Sequence, residues 1–157
     1  MKKIDLGQMI AIIANIGVIA GIAFLAAELQ QNNEYMAANA RYDLLQNQVT
    51  MMDQIASSPE LSEILIRAAD HGELSRPEQL RLQMLTIKSL RNWEWEFGEY
   101  QSGRLDLGQL PVETWRLMYH GQPGFLLLPF DAVWNASPYR RSNPAFARFV
   151  EENIIKE

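Results

Sequence analysis

Glu94 is the carboxylate whose setting invites a chemical question. It lies in "NWEWEF" (Asn92 to Phe97), between Trp93 and Trp95, and Ile87, Leu90, Glu94 and Phe97 form one stripe at helical spacing. A carboxylate on an apolar stripe either pairs with a cation, for instance an arginine of a facing helix, or keeps its proton through a raised pKa. Pairing is much the commoner outcome, so a structural ion pair is expected and catalysis is not. Trp93, Trp95, Phe97 and Tyr100 are then core or interface anchors, or the walls of a pocket around the acid. "FLLLPF" (Phe125 to Phe130) either plugs one end of a bundle or forms an exposed binding patch, with plugging expected. Beside a bilayer this loop would instead touch lipid, aided by Trp134 and Tyr139.

The remaining reactive groups are few. His71 and His120 each precede a glycine, in "DHG" and "YHG". A donor side chain suits the negative end of a helix dipole, and glycine suits the left-handed residue that ends a helix. Both are therefore read as capping elements, with Gly72 and Gly121 in the left-handed position. There is no cysteine, which removes disulfides, thiolate catalysis and cysteine-ligated metals. No nucleotide-binding glycine loop, zinc-binding H-E-x-x-H or nucleophile elbow occurs, so neither a cofactor nor a metal is expected and the chain is not read as an enzyme. Lys2, Lys3 and Asp5 net one positive charge. With −5 overall, the rest of the chain carries −6. An acidic body repels phosphate backbones and makes nucleic acid a poor partner.

The elements that hold these residues begin with an apolar run. Leu6 to Ala27 is 22 residues without a charge, and at about 1.5 Å each a helix of that length spans a bilayer core of roughly 30 Å. Cleavage as a signal peptide would place Phe24 or Leu25 where small residues are required, so a retained transmembrane anchor is expected. Lys2 and Lys3 precede the span and Glu28 and Glu34 follow it. The positive-inside rule then places the N-terminus in the cytoplasm and the body in the periplasm. Around the helix, Ala14, Gly17, Gly21 and Glu28 lie on one stripe with Ile10, while Gln8, Asn15, Ile22 and Ala26 lie roughly opposite. The first is a small-xxx-small seam for close helix approach, and the second carries an amide that can bond across helices. Other transmembrane helices, from a second copy or a larger complex, are the partners this pattern suits.

No proline interrupts Met1 to Ser58, so the anchor is expected to continue as one helix to about Ile55, with Met36, Ala40, Leu44, Val49, Met52 and Ile55 as its packing face. "SSPE" (Ser57 to Glu60) and "SRPE" (Ser75 to Glu78) read as capping boxes opening two further helices, the second running to about Gln101 before Gly103. A short helix follows over Pro111 to His120, with Trp115 and Met118 on one side. The proline-broken stretch before Pro144 reads as loop, and a final helix carries Phe146, Phe149, Val150 and Ile154. The fold class is all-α: an N-terminal transmembrane helix (1–29) continuing into a small acidic helical bundle (30–157).

The order "IGVIAGIAFLAAELQQNN", "RNWEWEFGEYQSGRLDLGQLPVETW" and "NPAFARFVEE" resembles a widespread family of uncharacterised bacterial proteins with an N-terminal single span and a small helical body. The matching positions are Leu25, Ala26, Gln30, Trp93, Glu94, Tyr100, Gly103, Leu105, Trp115, Pro144 and Phe146. The family often has arginine directly after the span, where this chain has "QQNNE". The resemblance implies the same fold and a bacterial inner membrane location, and it implies no activity. The expectation is a non-catalytic accessory or scaffold subunit of a membrane complex or homo-oligomer. The alternative is a membrane-anchored sensory or small-molecule-binding bundle, with Glu94 and the tryptophans lining its pocket.

Overall fold

Helix-start chemistry accounts for where the elements begin. Ser58 accepts from the backbone N–H of Leu61 at 3.2 Å and opens a helix with Pro59 in its first turn. Ser57 is not the cap, because the proline ring sets the first helical residue one place later. Glu60, freed from any capping role, pairs with Arg81 at 2.9 Å. The second signal forms as the sequence predicts. Glu78 accepts from the Ser75 backbone N–H at 2.7 Å and from its hydroxyl at 2.8 Å.

The computed structural model describes residues 5–122 and 128–156. The chain is all-α: α1 (Leu6–Ala56), α2 (Pro59–Ala69), α3 (Arg76–Gln101), a 3-10 turn (Leu107–Gln109), α4 (Val112–Tyr119), α5 (Phe130–Ala136), α6 (Tyr139–Ser142), α7 (Pro144–Val150) and a π turn (Glu151–Ile155). Two of these correct the sequence reading. The stretch before Pro144 holds α5 and α6, because Pro129 and Pro138 each stand just before a helix, where a missing N–H costs nothing.

The chain divides into two compact units, Met1–Asn39 and Ala40–Glu157, with the boundary inside α1. In the first unit, α1 buries none of the residues of its apolar run, and Leu6, Ile13, Ile19 and Leu29 are among the large side chains left exposed. It is one helix long and apolar enough to cross a membrane.

In the second unit the core gathers on α3, which buries Leu82, Leu85, Leu90, Trp93 and Phe97. The α1 face that packs there runs through Ala40, Leu44, Met51 and Ile55. Met36, Val49 and Met52, expected on that face, are exposed, since spacings of three, four and seven from Leu44 select Asn47, Gln48 and Met51 instead. Trp93 is sandwiched between Trp115 (centroids 5.2 Å apart) and Phe130 (4.8 Å). Phe97 meets Phe146 at 5.7 Å and Phe149 at 4.8 Å. Such ring pairs add about 0.5–1.5 kcal/mol each beyond their area burial, enough to fix α3, α4, α5 and α7 against one another.

Among the described residues, helix ends are closed by left-handed residues in three places. At α2 the left-handed residue is His71 (φ 54°), not Gly72. The Gly72 N–H reaches Arg67 O at 2.8 Å, and a Cβ on Gly72 would lie 2.7 Å from Arg67 Cγ, so glycine is needed there for space. Gly103 (φ 75°) ends α3 and Gly121 (φ 61°) ends α4, the latter as expected. His120 turns away from its own helix, and its Nε2 bonds Ile154 O at 2.9 Å. Arg116 Nη2 donates to Asn153 O at 2.6 Å, so α4 supplies donors for two carbonyls at the end of the C-terminal helix.

Candidate functional site

Three helical stripes of the second unit converge on one cleft of about 720 Å³. α1 contributes Asn47, Gln48, Met51, Met52 and Ile55; α3 contributes Ser89, Asn92, Trp93 and Glu96; α4 and the residue before it contribute Pro111, Thr114, Trp115 and Met118. Each set repeats at intervals of three and four, so each is one face of one helix. The mixture is apolar walls with a few polar groups, the composition typical of small-molecule sites of about 300–1,000 Å³.

Glu96 is the group that sets the chemistry of this cleft. Its side chain lines the cleft although the residue is only 2% exposed. Oε2 is buried and has no hydrogen-bond partner among the described residues. Burial without compensating contacts pushes its pKa up to about 8 from 4.5. At neutral pH the protonated form is then favoured about tenfold, because one pKa unit is a factor of ten. Among the described residues, no arginine, lysine or histidine lines the cleft to offset the charge. Ser89, one turn before Trp93, bonds Leu85 O at 3.0 Å and touches Met51 Sδ at 3.7 Å, so it is engaged elsewhere.

Glu94 has a different role. Its Oε2 pairs with Arg91 at 2.8 Å on the same helix, and its Oε1 accepts from Asn143 Nδ2 at 3.0 Å. Asn143 in turn caps α7 by accepting from the Phe146 N–H at 3.2 Å. Arg91 lies over the Tyr139 ring at 5.2 Å. Glu94 therefore ties α3 to the start of α7, and it is not among the residues lining the cleft.

The other expected site residues are distributed as follows. Trp93 and Phe130 are stacked in the core, and only Trp93 also lines the cleft. Phe97 is buried, Tyr100 meets it at 6.1 Å, and Trp95 is half-buried. Phe125 lies outside the described residues, while Leu128 and Phe130, the end of the same apolar run, are buried. Ala14, Asn15, Gly17, Gly21 and Glu28 are all exposed on α1, and a Cβ built on Gly17 or Gly21 would meet no atom within 4 Å.

Glu96 has a sequence signature that favours it over Glu94. At about 100° per residue, Glu96 and Phe97 lie roughly 60° and 40° to either side of Trp93, whereas Glu94 lies about 100° away. Once Trp93 is taken as the anchor of the core face, its third neighbour is the acid most deeply enclosed.

A second acid on α3, Glu99, is also buried, but it is fully engaged. Arg104 meets it through two nitrogens, Nη2 to Oε1 at 2.8 Å and Nε to Oε2, and this holds its carboxyl below the usual range. The groove of about 590 Å³ between α2 and α3 is likewise satisfied: Arg81 pairs with Glu60, Lys88 with Gln54 and Arg67 with Glu78. Among the described residues, no cluster of histidine, aspartate and glutamate is arranged to hold a metal.

Comparison with protein-family models, with curated proteins and with solved structures finds no match for this chain.

Proposed function

We propose that the chain is a single-span protein of a bacterial inner membrane, acting as a non-catalytic accessory or scaffold subunit. The observation that carries this reading is the first half of α1: its apolar run is exposed along its whole length. In water each large apolar side chain left exposed forgoes about 1.5–3 kcal/mol of burial, a cost that a bilayer removes.

Gly17 and Gly21 form the seam on which another transmembrane helix would approach, with Ala14 and Glu28 on the same face. Asn15 offers an amide to a helix on the other side. Lys2 and Lys3 before the span, with Glu28 and Glu34 after it, favour an N-terminus in the cytoplasm and a body in the periplasm.

The test uses the full chain in its native membrane. Gly17→Leu with Gly21→Leu is expected to shift the complex seen after gentle extraction to a smaller size, while single-chain stability stays unchanged. An unaltered complex would remove the seam from the reading. Because the chain has no native cysteine, a lone Gln54→Cys reports topology directly through labelling with a membrane-impermeant maleimide. Labelling from the periplasmic side is expected.

A further inference from the structure

We propose that the cleft between α1, α3 and α4 binds a small organic cation, an alkyl- or arylamine whose ammonium group pairs with the carboxyl of Glu96. Three observations converge on this class. The cleft is large enough for a molecule of drug-like size, at about 720 Å³. Its walls are chiefly apolar, with Met51, Met52, Ile55 and Met118 supplying flexible surface that adapts to a ligand body. Within it stands an acid whose Oε2 has no partner among the described residues.

The sign of the ligand follows from what the lining lacks. Glu96 is the one ionisable side chain among the lining residues. Neighbouring charges on the three helices are disposed elsewhere: Asp53 is exposed, Glu113 pairs with Arg116 at 2.7 Å, and Glu99 is held by Arg104. An anion entering the cleft would meet no countercharge, whereas an ammonium would meet a carboxylate in a desolvated setting, where a charge-assisted hydrogen bond is strong.

Recognition does not run through the face of Trp93. Both of its faces are already covered, by Trp115 and by Phe130, so the ring contributes its edge. The ionic contact is thus the main source of selectivity, and the methionines contribute apolar area. The ammonium displaces the Glu96 proton, which passes to solvent, and leaves a carboxylate–ammonium pair, so each ligand bound releases one proton. This inference does not depend on the membrane role of α1.

The test uses the full chain in lipid nanodiscs and a panel of phenethylamine, cyclohexylamine and butylamine. Matched controls are 3-phenylpropionate and 2-phenylethanol. Calorimetry in buffers of different ionisation heat reads both affinity and proton release. At least one amine is expected to bind ten times or more tightly than either control, with release approaching one proton at pH 7. Glu96→Gln is expected to lose that preference at least tenfold. Met52→Trp, which places bulk at an exposed position of the lining, is expected to block binding while leaving Glu96 intact. Absence of binding by every amine at 10 mM would overturn the proposal. So would equal binding of the alcohol, or retention of amine binding in Glu96→Gln. A protein segment as the true occupant would appear as amine-independent protection of the cleft from labelling at Met52→Cys, and it too would overturn the proposal.

Discussion

Replacing Glu96 by glutamine tests the central physical claim about this molecule, because it keeps the shape of the side chain and removes its charge. In the folded chain the carboxyl titrates at about 8, against 4.5 when solvated. The folded state therefore binds one more proton than the unfolded state between these two values. Stability is fully present below about pH 4.5 and is lost as pH rises toward 8, since the unfolded chain gains by ionising while the folded chain does not. At about 1.4 kcal/mol per pKa unit, the shift corresponds to a loss on the order of 5 kcal/mol across the window, a ceiling that relaxation around the charge lowers. This is a large share of the roughly 5–15 kcal/mol that holds a domain of ordinary size together.

The assay is urea unfolding of the full chain in nanodiscs at half-unit steps from pH 4.5 to 9, followed by tryptophan fluorescence. Wild type is expected to lose stability steadily between pH 5 and 8. Glu96→Gln is expected to show no such slope and to exceed wild type by about 3–5 kcal/mol at pH 8. Other shifted groups leave this window clear. Glu78 and Glu99 are lowered by Ser75 and Arg104 respectively, so their contributions are lost only as pH falls below the ordinary carboxylate range. Tyr119, raised to about 12 by burial, acts only in alkali. A flat wild-type profile from pH 5 to 8, with the variant indistinguishable at pH 8, would refute the claim that Glu96 is held neutral by burial.

Four further outcomes follow from particular contacts, each read from thermal and urea unfolding of the full chain. Asn143→Ala removes both the cap of α7 and the amide that holds Glu94, and it is expected to cost about 1–2 kcal/mol. His71→Gly places glycine at a backbone position with φ 54°, which is expected to stabilise by about 1 kcal/mol, whereas Gly72→Ala is expected to destabilise through its clash with Arg67. Gly103→Ala forces a side chain into φ 75° and is expected to cost about 1 kcal/mol even though the space beside it is open.

What the sequence conveys, and what it withholds, divides along the range of the interactions involved. The extent of α1, the start of α3 at Ser75 and the end of α4 at Gly121 are fixed by residues within one or two turns, and they are legible as such. The errors at the first helix start and at His71 are also local. They come from placing a cap one residue away when two serines, or a histidine and a glycine, compete for the same position. The α1 face is harder, because Asn47 and Gln48 occupy an inward position that polarity alone assigns to solvent. They tolerate it by lining a cleft rather than a packed core.

Glu94 is paired, as its sequence setting leads one to expect, but the buried acid beside it, Glu96, escapes notice for the same reason. A helix that packs on one side has one apolar stripe, and an acid on that stripe is the acid to watch. α3 packs on more than one side: Phe97 meets the α7 aromatics Phe146 and Phe149, while Ser89, Trp93 and Glu96 face α1 and α4. The second face carries serine, asparagine and glutamate, so periodicity reads it as the solvent side. Its burial is imposed by α4, whose Trp115 stacks on Trp93 at 5.2 Å, a contact between residues 22 positions apart that no window of helical spacing contains. Apolar filling of that face would have been the stabilising choice, since a neutral isostere at Glu96 avoids the cost of a buried acid. A chain that keeps an unpartnered carboxyl there, beside a cleft, keeps the group on which the proposed cation site rests.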